Sequence, residues 1–259
     1  LQTQGAKRLT KFALIITQGF NPGINNPGEP VTTLGKTTTM THTLHITALT
    51  ILLSLSASLH AQSPDVLRGK EILEQVSRKT KAYTSIKADF SFTLDNKQAQ
   101  ITDTHKGSIL IKGDKYKAEI MGAETYFDGQ NTYMYMTDIN EVNISGPEML
   151  DEEDSLNPAT VFSIFEHGHR YLHAGETTIN GKTVDIVDLF PEERNKPYSR
   201  IKLYIYQHNQ QFAKIEQIGK DGTNYIIDIH KMETNLPVND SDFTFDPAQH
   251  PGIEIIDLR

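Results

Sequence analysis

The chain has 259 residues, 22% of them charged, with 25 Lys plus Arg against 33 Asp plus Glu and a net charge of −8. Such a length supports a real buried core, and the acidic balance excludes a nucleic-acid binder held by phosphate contacts. Cysteine is absent, which excludes a disulfide scaffold, a Cys-ligated zinc, a Cys nucleophile and a lipidated N-terminal Cys.

Residues 1–39 mix turn formers such as Asn21-Pro22-Gly23 and Asn26-Pro27-Gly28 with a Thr run and show no periodicity; they are expected to be a disordered, over-extended gene start. From Met40 the pattern changes. Leu44 to Leu59 is uncharged, apolar and Ser/Thr-rich, and it ends Leu59-His60-Ala61-Gln62. This reads as a secretory signal over 40–61 cleaved after Ala61, too short for a comfortable membrane span. The remaining residues, 62–259, keep 21 basic and 32 acidic residues, a net −11. An exported, acidic chain without Cys fits the periplasm and has no lipobox.

Ser63-Pro64-Asp65 predicts a helix start, and Ile72, Leu73, Val76 and Tyr83 continue it at helical spacing. The period then becomes two: Ile86, Ala88, Phe90, Phe92 and Leu94 alternate with polar residues. Further strands are expected at 107–112, 115–121, 125–128, 132–137, 141–145, 171–179, 182–189, 199–206, 212–219 and 225–232, with turns at Gly113-Asp114, Asp128-Gly129, Asn180-Gly181 and Asp221-Gly222. Between the halves lies the acidic run 148–154. Asn157-Pro158 then opens a short helix carrying Val161, Phe162, Ile164 and Phe165. The expected fold is mainly β with a few helices: a highly curved antiparallel sheet, or incomplete barrel, of about eleven strands. Its concave side is expected to be covered by the helices.

Catalytic motifs are missing. No Gly-x-Ser-x-Gly occurs, and the two phosphate-loop mimics at Gly35-Lys36-Thr37 and Gly181-Lys182-Thr183 lack their first Gly. Glu166-His167-Gly168-His169 offers two imidazoles without further ligands, and a polar helix end explains it better. No metal and no cofactor are expected. The aromatic and Met content says more. Tyr133-Met134-Tyr135-Met136 is apolar on both strand faces; this is either a strand sandwiched between sheet and helix or an adaptable lining for an irregular ligand.

An ordered set of features spans residues 66–259: Tyr83-Thr84-Ser85-Ile86-Lys87-Ala88-Asp89-Phe90, Gly107 with Ile109 and Ile111, Asp114 to Ile120, Phe127-Asp128-Gly129-Gln130-Asn131-Thr132-Tyr133-Met134-Tyr135, Asn157-Pro158, and Phe243-Thr244-Phe245-Asp246-Pro247 leading to Gly252 to Leu258. In this set the chain resembles the periplasmic outer-membrane lipoprotein carrier family, the LolA-like proteins. The resemblance implies an incomplete barrel closed by helices over 62–259 and a non-enzymatic carrier of lipoprotein acyl chains. It also implies an inner-membrane lipoprotein-releasing ABC transporter and an outer-membrane acceptor as partners, with the carrier a monomer.

Cavity and lid are then expected from Phe90, Phe92, Tyr116, Ile120, Tyr133, Met134, Tyr135, Met136, Val161, Phe162 and Phe165. The family's well-studied branch has a lid-holding Arg in the strand that here reads Lys115-Tyr116-Lys117, so Lys115 or Lys117 would be the latch, without the planar fork of Arg. A lipid- or lipoprotein-sensing envelope-stress module of the same fold is the alternative; the end of the chain directly after the last family feature speaks against it. An envelope hydrolase is a third reading, against which the missing motifs weigh.

Overall fold

The computed structural model describes residues 63–146 and 162–259. The signal segment, the acidic run and Val161 lie outside them. Helix α1 (Pro64–Lys81) starts as its sequence dictates: the Ser63 hydroxyl accepts from the Val66 N–H, Pro64 occupies the first turn, and Arg78, Lys79 and Lys81 crowd the C-terminal end. Among the described residues it is the one α-helix. Phe162 to Phe165, which the sequence assigns to a second helix, form turns.

Twelve strands follow: β1 (Ile86–Asn96), β2 (Ile101–Lys112), β3 (Lys115–Ile120), β4 (Ala123–Phe127), β5 (Thr132–Met136), β6 (Glu141–Ser145), β7 (His169–Ile179), β8 (Lys182–Pro191), β9 (Tyr198–Tyr206), β10 (Phe212–Gly219), β11 (Thr223–Thr234) and β12 (Glu254–Asp257). They make one sheet in the order β12-β6-β5-β4-β3-β2-β1-β11-β10-β9-β8-β7. Neighbours are antiparallel except β12, which runs parallel to β6. The sheet is curved and does not close, since β7 and β12 remain its two edges. The first of the described strands lies at the centre because β1 pairs with β11 and joins the two halves.

The hairpin between β1 and β2 is longer than the sequence suggests. After Ile101, residues 102–106 are polar on both faces, so no alternation marks them as a strand. Backbone pairing to β1 carries them, aided by the Thr93–Thr104 hydroxyl contact at 2.9 Å and the bond from Thr102 to Asp95 at 3.0 Å. At the hairpin between β7 and β8, Asn180 and Gly181 both adopt positive φ (51° and 73°), the turn that this dipeptide favours.

Strand register defines two faces. On one, Ile86, Ile111, Tyr116 and Phe127 align across β1 to β4, as do Ala88, Ile109, Ala118, Thr125 and Met134 across β1 to β5. In the second half Ile227, Ile215, Leu203 and Val187 align on this same face through Phe92. Ile72, Leu73 and Val76 of α1 join these residues, except Phe92, Thr125 and Met134, in one cluster. Gly69 lets α1 approach β7 closely; a Cβ there would stand 3.1 Å from the His173 backbone nitrogen. On the opposite face Tyr135, Val142 and Phe245 form a second, smaller cluster under the C-terminal segment.

Candidate functional site

Alternation sorts the sequence-predicted lining residues. Phe90, Gly107, Ile120, Ala123 and Met136 align across β1 to β5, one row beyond Ala118 and Met134. All are on the face that carries α1. Phe92 and Tyr116 share this face and are buried, whereas Phe90, Ile120, Phe127, Met134, Met136 and Met232 are half-buried. Burial pushes the Tyr116 hydroxyl up to about 12, and its ring tilts against Phe127 with centroids 5.7 Å apart. The face is therefore dry and closed beside α1, where Val187, Leu189, Ile201 and Leu203 have no exposure. Towards β3, β4 and β5 it remains apolar but incompletely covered.

Tyr133 and Tyr135 are not part of that row. A residue's neighbours along a strand point to the other side of the sheet, so both tyrosines join Phe245, at centroid distances of 6.4 Å and 5.3 Å. Tyr126 meets the same ring edge-on at 5.8 Å, and His250 stacks on it at 4.8 Å. The Tyr-Met-Tyr-Met run is thus apolar on both faces because its tyrosines pack under the Phe245 segment while its methionines lie on the incompletely covered apolar row.

Phe162 and Phe165 lie on the α1 side, 5% and 6% exposed, and both contact the Phe212 ring, at 5.9 Å and 6.2 Å. Their segment is tied to α1 by Glu166. The Ser77 hydroxyl donates to Glu166 Oε1 at 2.6 Å and Lys81 Nζ stands 2.9 Å from the same oxygen. These two bonds, Ser77 first, hold the Glu166 carboxyl below its ordinary range. No spacing in the sequence pairs residues 77 and 166, and only the tertiary contact reveals this clasp.

The two lysines expected as a latch are engaged elsewhere. Lys115 reaches Asp240 at 3.0 Å, and Lys117 reaches Glu119 at 2.9 Å and Glu124 at 3.3 Å, with the Tyr126 ring 4.9 Å beneath it. Desolvation pulls Lys117 down, but its bonds to Glu119 and Tyr126 outweigh that and hold its pKa above the ordinary value. Strand alternation is the physical reason: with Tyr116 and Ala118 facing α1, residues 115 and 117 face away from it. His169 is likewise committed, through Nδ1 to the His167 carbonyl at 2.8 Å and through Nε2 to the Tyr198 hydroxyl at 2.9 Å.

An open groove of about 720 Å³ borders β1 to β4. It takes in Phe90 and Ile120 of the apolar row beside Asp89, Lys106, Glu119 and His230. It joins an apolar strip to a charged rim.

No known family profile matches the chain, and no curated protein matches it. Solved structures do. One is an uncharacterized conserved protein from Thermus thermophilus, 10% identical, with a TM-score of 0.49, covering 73% of this chain and 99% of its own. Another is LprF from Mycobacterium bovis, 15% identical, with a TM-score of 0.41 and coverage of 67% and 95%. A third is a LolA superfamily protein from Nitrosomonas europaea, 13% identical, with a TM-score of 0.35 and coverage of 68% and 97%.

Proposed function

We propose that the protein is a non-enzymatic carrier that binds the acyl chains of lipoproteins on the α1 side of its sheet and delivers them to the outer membrane. One observation carries this reading. Phe90, Ile120, Phe127, Met134 and Met136 share one sheet face and stay half-buried, at the margin of a core whose remainder is dry. A continuous apolar strip of this kind marks a surface that takes an apolar partner. Two methionines within it suit a chain of variable shape, because the unbranched thioether repacks around irregular ligands.

Energetics define the task. Removing an acyl chain of about fifteen methylenes from water is worth on the order of 12 kcal/mol at ~0.8 kcal/mol each. A carrier must offset most of that exposure and still release its cargo, which a strip bounded by a detachable segment achieves without any catalytic group. The Phe162–Phe165 segment, clasped to α1 by Glu166, is the detachable part. In this reading the chain is exported, is cleaved after Ala61, acts in the periplasm as a monomer, and meets an inner-membrane releasing transporter and an outer-membrane acceptor.

The test is binding of a fluorescent fatty acid and of a triacylated peptide to the purified protein. Met134→Asp, on the strip, is expected to abolish binding in a folded protein, and Tyr133→Ser, on the other face, to leave it intact. Equal binding by both variants would move the cargo off this face. N-terminal sequencing of exported protein checks the cleavage: Gln62 is the expected first residue.

A further inference from the structure

The hairpin of β7 and β8 carries a group of side chains that the carrier role does not use. A β-bulge sits in β7 between His173 and Gly175, where the pairing jumps from His173↔Val187 to Gly175↔Ile186 and Glu176↔Asp185. In a regular strand, residues three apart point to opposite faces. The extra residue cancels that, so His173 and Glu176 both stand on the face that Asp185 occupies. Their ligand atoms, with one from Asp185, all lie within 4.8 Å of one another.

We infer that His173, Glu176 and Asp185 form a binding site for a divalent cation of the zinc class, with water at the remaining positions. His173 Nε2 and Asp185 Oδ1 are 3.1 Å apart, close to the spacing of two adjacent ligands about a metal held at roughly 2.0–2.2 Å. Glu176 is exposed and rotates to close the remaining gap. One imidazole and two carboxylates, with no thiolate, suit a borderline divalent ion rather than a thiophilic one.

The supporting shell is present. Asp185 is 3% exposed, and the Gln207 amide donates to its Oδ1 at 3.2 Å, fixing the carboxylate's orientation. Arg68 of α1 stands 3.7 Å from the other oxygen, Oδ2, and 3.0 Å from Glu71. Three carboxylates (Asp185, Glu176 and Glu71) against this one guanidinium leave two negative charges, which a divalent cation neutralises. A cation here would also brace β7 and β8 beneath the first turns of α1, since Gly69 rests on the His173 backbone.

The sequence offers His173-Ala174-Gly175-Glu176 with no metal-binding period for a strand, so the site becomes visible only once the bulge is in place. It is independent of the acyl-binding strip.

The experiment is calorimetric titration of the chelator-stripped protein with zinc chloride, repeated on Glu176→Gln and His173→Gln. Glu176 is exposed, so its variant keeps the fold. The expected result is one ion per chain for the wild type, with affinity at least tenfold weaker in each variant. Cobalt chloride should give a visible d–d absorption that both variants lose. Absence of zinc binding at millimolar metal overturns the inference. So does unchanged affinity in the variants, which would place the ion on other surface histidines.

Discussion

The ring of Phe90 lies directly across the backbone of Gly107 on the neighbouring strand: a Cβ on residue 107 would stand 2.7 Å from Phe90 Cζ and 2.9 Å from the Glu119 carbonyl oxygen. The register pairs these two residues, with Ile120 opposite Gly107 on β3. The glycine is there for space, and it sets how flat the half-buried strip can be. Gly107→Ala should therefore displace Phe90 and cost about 1–3 kcal/mol, the usual range for overpacking. Chemical denaturation reads the stability, and acyl binding should weaken in the same variant. Wild-type stability and binding would show that Phe90 is not held by this contact.

Phe162 distinguishes a movable cover from a plain core. A carboxylate at a dry, fixed core position costs several kcal/mol and unfolds a marginal domain. On a segment that can detach, the side chain reaches water instead. Phe162→Glu is expected to lower stability modestly and to reduce fatty-acid binding more than tenfold. Denaturation and binding are measured on one preparation, and an unfolded variant would identify Phe162 as core.

The clasp at Glu166 makes the cover sensitive to acid. Bonds from Ser77 and Lys81 lower the folded-state pKa of Glu166 below its ordinary 4.5. A lowered carboxylate pKa stabilises the fold above the unfolded value, here above about pH 4.5, and that contribution disappears as pH falls through the lowered value. Glu166→Gln should melt below the wild type at neutral pH, with the gap narrowing at acidic pH. Glu166 is half-buried but its partner Lys81 is exposed to solvent, so the difference should be small. A gap that stays constant with pH would mean the clasp contributes through shape rather than charge.

Phe245 supports the opposite face. It anchors Tyr126, Tyr133 and Tyr135 and is 5% exposed. Truncation to Ala should cost about 3 kcal/mol, at the lower end for buried Phe. Acyl binding by the folded fraction should be unchanged, because strand alternation keeps this cluster away from Met134 and Met136. Parallel loss of binding would return the tyrosines to the lining.

Local pattern is what the sequence itself determined. Ser63-Pro64 caps α1, period-two alternation marks β1 and β9, and Asn180-Gly181 makes its hairpin. Each follows from backbone chemistry within a few residues, and neighbours in the chain suffice to specify it. The apolar character of β3, β4 and β5 was equally legible, and so was the curved antiparallel sheet. Tertiary structure decided which of those apolar residues meet. Tyr133 and Met134 are adjacent in the chain yet lie on opposite faces, because the sheet has two sides, and only the tertiary structure shows that the Phe245 segment covers the first while α1, packed further along the sheet, leaves the second half-buried. Lys115 and Lys117 face away from α1 for the same reason. The Ser77–Glu166 clasp joins distant segments, and the bulge that brings His173 and Glu176 to the face of Asp185 is a one-residue shift in register; neither leaves a period in the sequence to read.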